Sequence, residues 1–317
     1  MKLISFADIR RLDIPALTCY EWADETIRHK AEAILPPKIS MRPAEGSFCN
    51  VMPSILPNGM GGVKIVTRYP LREPSLDSKL FLIDMRTGEY LALMDADWIT
   101  AMRTGAVAAH SIRLFAKKGF ATVAMLGLGN TARATMQVLS ALYPDRELTV
   151  RLLRYKGQEE LFAKRFASHE NLRFCYDSDI GQLIRGADTV ISCVTYTADD
   201  LCGDDCFDKG VLVVPVHTRG FTAQELTFDK VFADDRGHVK DFRNFDRFRS
   251  FAEVCDVVCG RAPGRENDDE RILAYNIGVS TQDIGFAAHI YALLKESGGL
   301  ERLPDIDLQG PTEKFWV

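Results

Sequence analysis

The chain has 317 residues, enough for two domains, and its 46% hydrophobic and 26% charged residues suit a globular protein with a sizeable core and not a disordered one. Its 44 acidic residues outnumber 39 basic ones, a formal net charge of -5, so no global field favours nucleic acid or anionic lipid. The longest apolar runs, such as 211–216, are too short to cross a bilayer, and the opening MKLISFADIRRLD, which carries acids and no apolar stretch, is not expected to be a signal peptide.

In chain order, a polar helical segment is predicted over 21–35, ending at Pro36-Pro37. After Pro53, Pro57 and the Gly59–Gly62 cluster, 63–67 reads as a strand. The apolar runs 79–84 and 90–94 flank the turn Met85-Arg86-Thr87-Gly88-Glu89, which is the grammar of an antiparallel hairpin. Asp95-Ala96-Asp97 reads as a cap and 98–117 as a helix. From Ala121 the texture becomes strand, glycine turn, helix, and repeats. Strands are expected at 122–126, 148–153, 189–194 and 211–216, and helices at 133–142 and 159–168. Near-continuous apolar runs between helices indicate a parallel sheet covered on both faces. A last long helix is predicted over 281–295. The expected fold is α/β: a doubly wound parallel sheet of Rossmann type (113–276) inserted into a second α/β domain (1–112 plus 277–317).

The cysteine pairs Cys202/Cys206 and Cys255/Cys259 have C-x3-C spacing, but no histidine pair or C-x-x-C accompanies them and Cys193 lies in a strand-like run. Reduced thiols in a cytoplasmic protein, with no metal, are the expected reading.

The strongest local signal is Gly127-Leu128-Gly129-Asn130-Thr131-Ala132, a G-x-G-x-x-A between a strand and a helix. Gly127 allows a tight turn, Gly129 lets backbone approach a diphosphate, and Ala132 lets the helix lie close on the strand. The helix N-terminus, opening at Asn130 and Thr131, then offers free N–H groups to the anion. The next strand runs into Arg154-Tyr155-Lys156, where NAD binders place an acid for the ribose hydroxyl. Guanidinium binds phosphate in two parallel hydrogen bonds, so NADP(H) is expected ahead of NAD(H).

Three cations of the first domain complete a pattern: Arg42, Lys64 and Arg103. The runs Asp84–Gly88, Leu91–Asp95, Arg103-Thr104-Gly105-Ala106, Gly127–Asn130 and Gly278–Asp283 together resemble the ornithine cyclodeaminase/mu-crystallin family along nearly the whole chain. That resemblance implies that the domain formed by 1–112 and 277–317 binds a small amino or imino acid and also forms a homodimer. It implies hydride transfer between a nicotinamide and the substrate α-carbon, as in amino-acid dehydrogenases and ketimine reductases. Ornithine cyclodeamination and a mu-crystallin-like, cofactor-dependent binding protein are the alternatives. Carried over by position, Arg42, Lys64 and Arg103 bind substrate, with Lys64 moving a proton. Ser75, Arg103, Thr195 and Gly278 lie at the cofactor, and Asp283 is structural or near the nicotinamide.

One departure stands out. Cyclodeaminases carry a catalytic aspartate six residues before a Glu-Leu pair. Before Glu225-Leu226 that position is Arg219, a permanent cation. Arg219 is therefore expected to bind a second anionic group on the substrate, and His217 to take over proton transfer. The segment Phe242, Phe245, Phe248, Phe251, interleaved with Arg243, Arg247 and Arg249, reads as an amphipathic helix on its own domain and not as a nucleic-acid platform. The paired acids, such as Asp199-Asp200 and Asp234-Asp235, read as loops and caps.

Overall fold

Two sheets divide the chain. The computed structural model describes every residue except 195, 196, 198, 218, 309, 311, 312 and 315–317. The first sheet has the order β1-β6-β5-β4-β3-β2, from β1 (Lys2–Ile4), β2 (Ile39–Met41), β3 (Phe48–Ile55), β4 (Met60–Arg68), β5 (Leu76–Asp84) and β6 (Glu89–Asp95). β1 runs parallel to β6 and the other neighbours are antiparallel, including the expected β5–β6 hairpin. β1, β2 and β3 are not among the strands expected from the sequence; for β3 the reason is Pro53 within it. The Ile34–Ile55 bridge shows which way Ile55 N–H points, and alternation sends the ring of Pro53 to the same side. β2 pairs only as far as Val51, so at Pro53 that edge is open and the missing N–H costs no ladder bond.

Helices cover one face of this sheet. α1 (Phe6–Arg11) is closed by a Ser5–Asp8 capping box, and α2 (Ala16–Arg28) starts after Pro15. α2 begins and ends earlier than predicted: extended Pro15 opens it, and after Arg28 the chain tightens into a short 3₁₀ turn, Lys30–Glu32. α3 (Asp97–Phe115) leads into the second domain.

The second sheet is built of β7 (Thr122–Leu126), β8 (Leu148–Leu153), β9 (Leu172–Asp177), β10 (Thr189–Ser192), β11 (Leu212–Pro215), β12 (Lys230–Ala233), β13 (Phe251–Glu253) and β14 (Ile272–Tyr275). All are parallel, in the order β13-β12-β14-β11-β10-β7-β8-β9. Of these, β9, β12, β13 and β14 are not among the strands expected from the sequence. The connections are α4 (Asn130–Leu142) and shorter helices α5 (Gln158–Arg165), α6 (Ile180–Ile184), α7 (Gln224–Thr227), α8 (Arg236–Val239) and α9 (Val254–Val258). Separate apolar cores fill its two faces, one around Phe115, Met125 and Phe162, the other around Leu126, Val213 and Phe228. The chain then returns through α10 (Ser280–Glu296), which packs on β3, β4 and α2 of the first domain. The aromatic segment 242–251 is not the helix expected. It is a 3₁₀ turn, Phe245–Arg247, running into β13, and the three-residue spacing is the period of that tighter turn. Phe245 and Phe251 pack at 5.0 Å, with the Arg236 guanidinium 4.8 Å over Phe251. Among the described residues no helix is long and apolar enough to cross a membrane.

Several contacts join the domains, among them one at α3 and one at Lys30. α3 and α4 cross at Gly105, where a Cβ would meet the Ala134 and Thr135 backbone at 2.5 Å. Lys30 Nζ reaches Asp235 at 2.6 Å and Glu253 at 2.8 Å across the boundary. The helix ahead of the second domain is thus fastened to the helix that follows the glycine turn.

Candidate active site

The glycine turn lies between β7 and β10, where the strand order reverses and a crevice opens at the carboxyl ends of the strands. Gly127 has φ +77°, and a Cβ on it would stand 2.6 Å from the Cys193 carbonyl carbon and oxygen. Gly129 is different: a Cβ there would meet nothing within 4 Å, so the backbone faces open space. α4 starts at Asn130 with no side-chain cap, which leaves its first amide N–H groups for a ligand, and Ala132 is fully buried against the sheet. These features fit the diphosphate of a dinucleotide.

At the end of β8, Arg154 and Lys156 are exposed. The Arg154 guanidinium lies 5.1 Å over the Tyr176 ring, and Lys156 Nζ 5.1 Å over Tyr155. Glu159, the first acid after the strand, folds back to accept the Tyr155 N–H at 3.0 Å. Its other oxygen lies 3.6 Å from an Arg154 terminal nitrogen, so the strand end presents two exposed cations, one of them paired with that carboxylate.

Across the crevice, tertiary structure gathers a buried charge cluster. Lys64 on β4, Arg103 on α3 and Asp283 in the first turn of α10 meet. Lys64 Nζ donates to Asp283 Oδ1 at 2.7 Å, and Arg103 Nε donates to the same oxygen at 2.8 Å. Lys64 and Asp283 are fully buried. Asp283 Oδ2 is buried with no hydrogen-bond partner among the described residues. Two cations share one carboxylate, so with Lys64 protonated the cluster carries a net positive charge. Burial lowers Lys64 to about 7, although Asp283 pulls the other way.

Arg103 is also hemmed in by the segment that returns from the second domain to α10. Gly278, at φ +89°, lies so close that a Cβ on it would stand 2.6 Å from an Arg103 terminal nitrogen. The Gly278 N–H donates to Asp234 Oδ2 at 2.5 Å. Burial raises the Asp234 carboxyl above its usual range. Arg103 precedes the Gly105 crossing by two residues, and Asn130 precedes its α4 counterpart, Ala134, by four. The cation cluster and the glycine turn are therefore neighbours on two locked helices.

Not every expected residue joins this cluster. Arg42, just beyond β2, is exposed. Ser75 lies in the turn between β4 and β5, its carbonyl accepting the Tyr69 N–H, one residue beyond the Arg68–Leu76 pair. Thr195 falls outside the described residues. The reading missed Lys38, which is half-buried and lowered by burial, with Asp234, Arg103, Asp283 and Arg42 as its charged neighbours. Its signal was the preceding Pro36-Pro37, which fixes an extended approach.

His217, just beyond β11, makes its hydrogen bonds within the second domain. Its Nδ1 accepts the Arg219 N–H at 3.4 Å, and its Nε2 lies 2.7 Å from the hydroxyl of buried Ser192 at the end of β10. Burial lowers it to about 4, so the ring is neutral near pH 7 and both nitrogens are engaged. Arg219 itself is exposed.

A family model described as the ornithine cyclodeaminase/mu-crystallin family matches residues 8–298. The chain is 26% identical over 315 residues to the nodulation efficiency protein of Rhizobium meliloti, covering 94% of this chain and 97% of that one. It is likewise 26% identical over 274 residues to a delta(1)-pyrroline-2-carboxylate reductase of Bacillus cereus, covering 78% and 82%. Its fold is similar to that of the Thermococcus litoralis delta(1)-pyrroline-2-carboxylate reductase solved with NADH and L-proline, with a TM-score of 0.85 and 21% identity over 96% of this chain and 100% of that one.

Proposed function

Because the chain belongs to the ornithine cyclodeaminase/mu-crystallin family, we propose that it is a nicotinamide-dependent oxidoreductase that moves a hydride between the cofactor and the α-carbon of a small amino or imino acid. The observation that carries this is the buried Lys64–Asp283–Arg103 cluster, locked through α3 and α4 to an uncapped glycine turn. The bound nicotinamide supplies the hydride chemistry. Gly127, Gly129, Asn130 and Thr131 hold its diphosphate. Arg154 and Lys156 favour the phosphate of NADP(H) over the bare ribose of NAD(H). Arg103, Lys38 and Arg42 orient the substrate carboxylate.

Lys64, lowered to about 7, exchanges a proton at the substrate nitrogen. In the reductive direction the ammonium form is the active one, so that rate falls as pH rises through about 7. His217, neutral and doubly engaged, positions the loop of Arg219 and does not itself move the proton. Arg219 faces a second anionic group of the substrate.

The outer face of the first sheet carries the row Val63, Phe81 and Leu93. Exposed Ile65, Leu76 and Tyr90 lie on the same sheet, and a second copy of the chain would cover this apolar surface as a homodimer. A monomer in sedimentation would remove that part. The eight free thiols suit a reducing, cytoplasmic setting.

The test incubates the protein with NADPH or NADH, ammonia or an amine, and a panel of mono- and dicarboxylic 2-oxo acids. Expected are net loss of reduced-nicotinamide absorbance, faster with NADPH, and a preference for the second carboxylate that Arg219→Ala abolishes. Ammonia release from ornithine without net cofactor change would point instead to a cyclodeaminase. Tight cofactor binding with no turnover on any substrate would point to a binding protein.

A further inference from the structure

A second cleft, of about 220 Å³, lies on the flank where α1 and the start of α3 face α4. It is built from both domains. Arg10 on α1, Arg133 on α4 and Arg165 at the end of α5 line it, with Trp98 and Phe6 as apolar walls. None of the three guanidinium groups has an ion pair or hydrogen bond with a described residue. This contrasts with Arg11, Arg28, Arg86 and Arg151, each held by an aspartate. Arg133 Nε is buried and unpartnered, an arrangement that costs free energy unless a ligand satisfies it.

In a chain with more acids than bases, three unpaired arginines around one concave space mark an anion site. Guanidinium forks match a carboxylate bidentately, and the aromatic walls accept an apolar body. Asp13 and Asp97 also line the cleft and offset two of the three charges, which disfavours polyphosphates and offers acceptors for an amino group. The volume is below that of drug-sized pockets, which run from about 300 to 1,000 Å³. We infer that this cleft is a second small-molecule site, distinct from the substrate crevice, that takes a carboxylate of amino-acid size.

Its position gives it a consequence, which rests on the cofactor reading above. Arg133 and Asn130 both line the cleft and both belong to the opening of α4, the helix whose N-terminus is assigned to the diphosphate. A ligand bridging Arg133 to Arg10 ties that helix to the first domain, so occupancy changes cofactor affinity.

Calorimetric titration of the full-length, cofactor-free protein with succinate, L-glutamate and inorganic phosphate tests the site. Expected is saturable binding of succinate or L-glutamate, weakened about tenfold or more in Arg10→Gln and in Arg133→Gln. Arg10 is exposed, so its variant keeps the fold even if Arg133→Gln does not. Equal affinity in the Arg10→Gln variant and the unaltered chain, binding of phosphate alone, or no binding would overturn the inference. Variant-sensitive binding in a protein that reduces no substrate would sink the proposed function and leave this site standing.

Discussion

Replacing Asp283 with asparagine is expected to lower turnover about a hundredfold or more and to shift the pH dependence of the reductive rate toward acid. The sign follows from the geometry. Asp283 Oδ1 accepts from both Lys64 Nζ and Arg103 Nε, and its charge is what holds the Lys64 ammonium up against burial. Without that charge Lys64 drops further below about 7, so the limb that tracks its deprotonation moves to lower pH. Breaking a buried ion pair from one side costs about 3–5 kcal/mol, because the remaining charges lose their partner. Here part of that cost is relieved when Lys64 gives up its proton, so melting should fall by less than this figure implies. Lys64→Met is the comparison: it should remove the limb altogether. Unchanged pH profiles in both variants would show that the cluster is structural and does not move the proton.

The second large effect concerns the glycine turn, where two substitutions separate strain from ligand contact. Gly127→Ala places a Cβ 2.6 Å from the Cys193 carbonyl at φ +77°, so the turn must shift whether or not cofactor is present. Both stability and NADPH affinity are expected to fall, the affinity by about a hundredfold, or ~2.8 kcal/mol. Gly129→Ala meets no atom within 4 Å and has φ -75°, so stability should stay within about 0.5 kcal/mol of the unaltered chain. Its methyl group would nevertheless stand in the space through which a diphosphate approaches, and affinity should still drop at least about tenfold. Thermal melts beside fluorescence titrations with NADPH read both quantities. A Gly129→Ala protein that binds NADPH as tightly as the unaltered chain would remove the cradle from this turn.

The two sites differ in how far their signals reach along the chain. The turn from Val123 to Ala132 is local: strand, bend and helix start within ten residues, and each small residue is dictated by its immediate neighbours. Four of the eight parallel strands, β7, β8, β10 and β11, were legible because strands buried on both faces read as largely apolar runs. β9, with Arg173, Tyr176 and Asp177 in a partly exposed edge strand, was not legible, nor were β12, β13 and β14. β3 was not, because a proline inside a strand is tolerated only where an edge is open, and openness is a property of the neighbour β2 and not of the segment. The aromatic run 242–251 misled in a similar way: a three-residue spacing suits both an amphipathic helix and a 3₁₀ turn entering a strand, and packing under Arg236 chose the second.

By itself the sequence determined the glycine turn, the basic strand end at Arg154 and Lys64 as a cation interrupting an apolar strand, while Arg103 was marked only by the family resemblance. Only the tertiary structure decided that these two share Asp283, which lies 219 residues from Lys64 and 180 from Arg103. It also decided that Lys38 feels the charges of Arg103 and Asp283, and that His217 spends both ring nitrogens on Ser192 and the Arg219 backbone. The physical reason is that charge pairing is set by distance in space and by exclusion of water. Neither is encoded locally: a lone aspartate in an otherwise apolar helix reads the same whether it caps, pairs or catalyses, until the fold brings its partners within 3 Å.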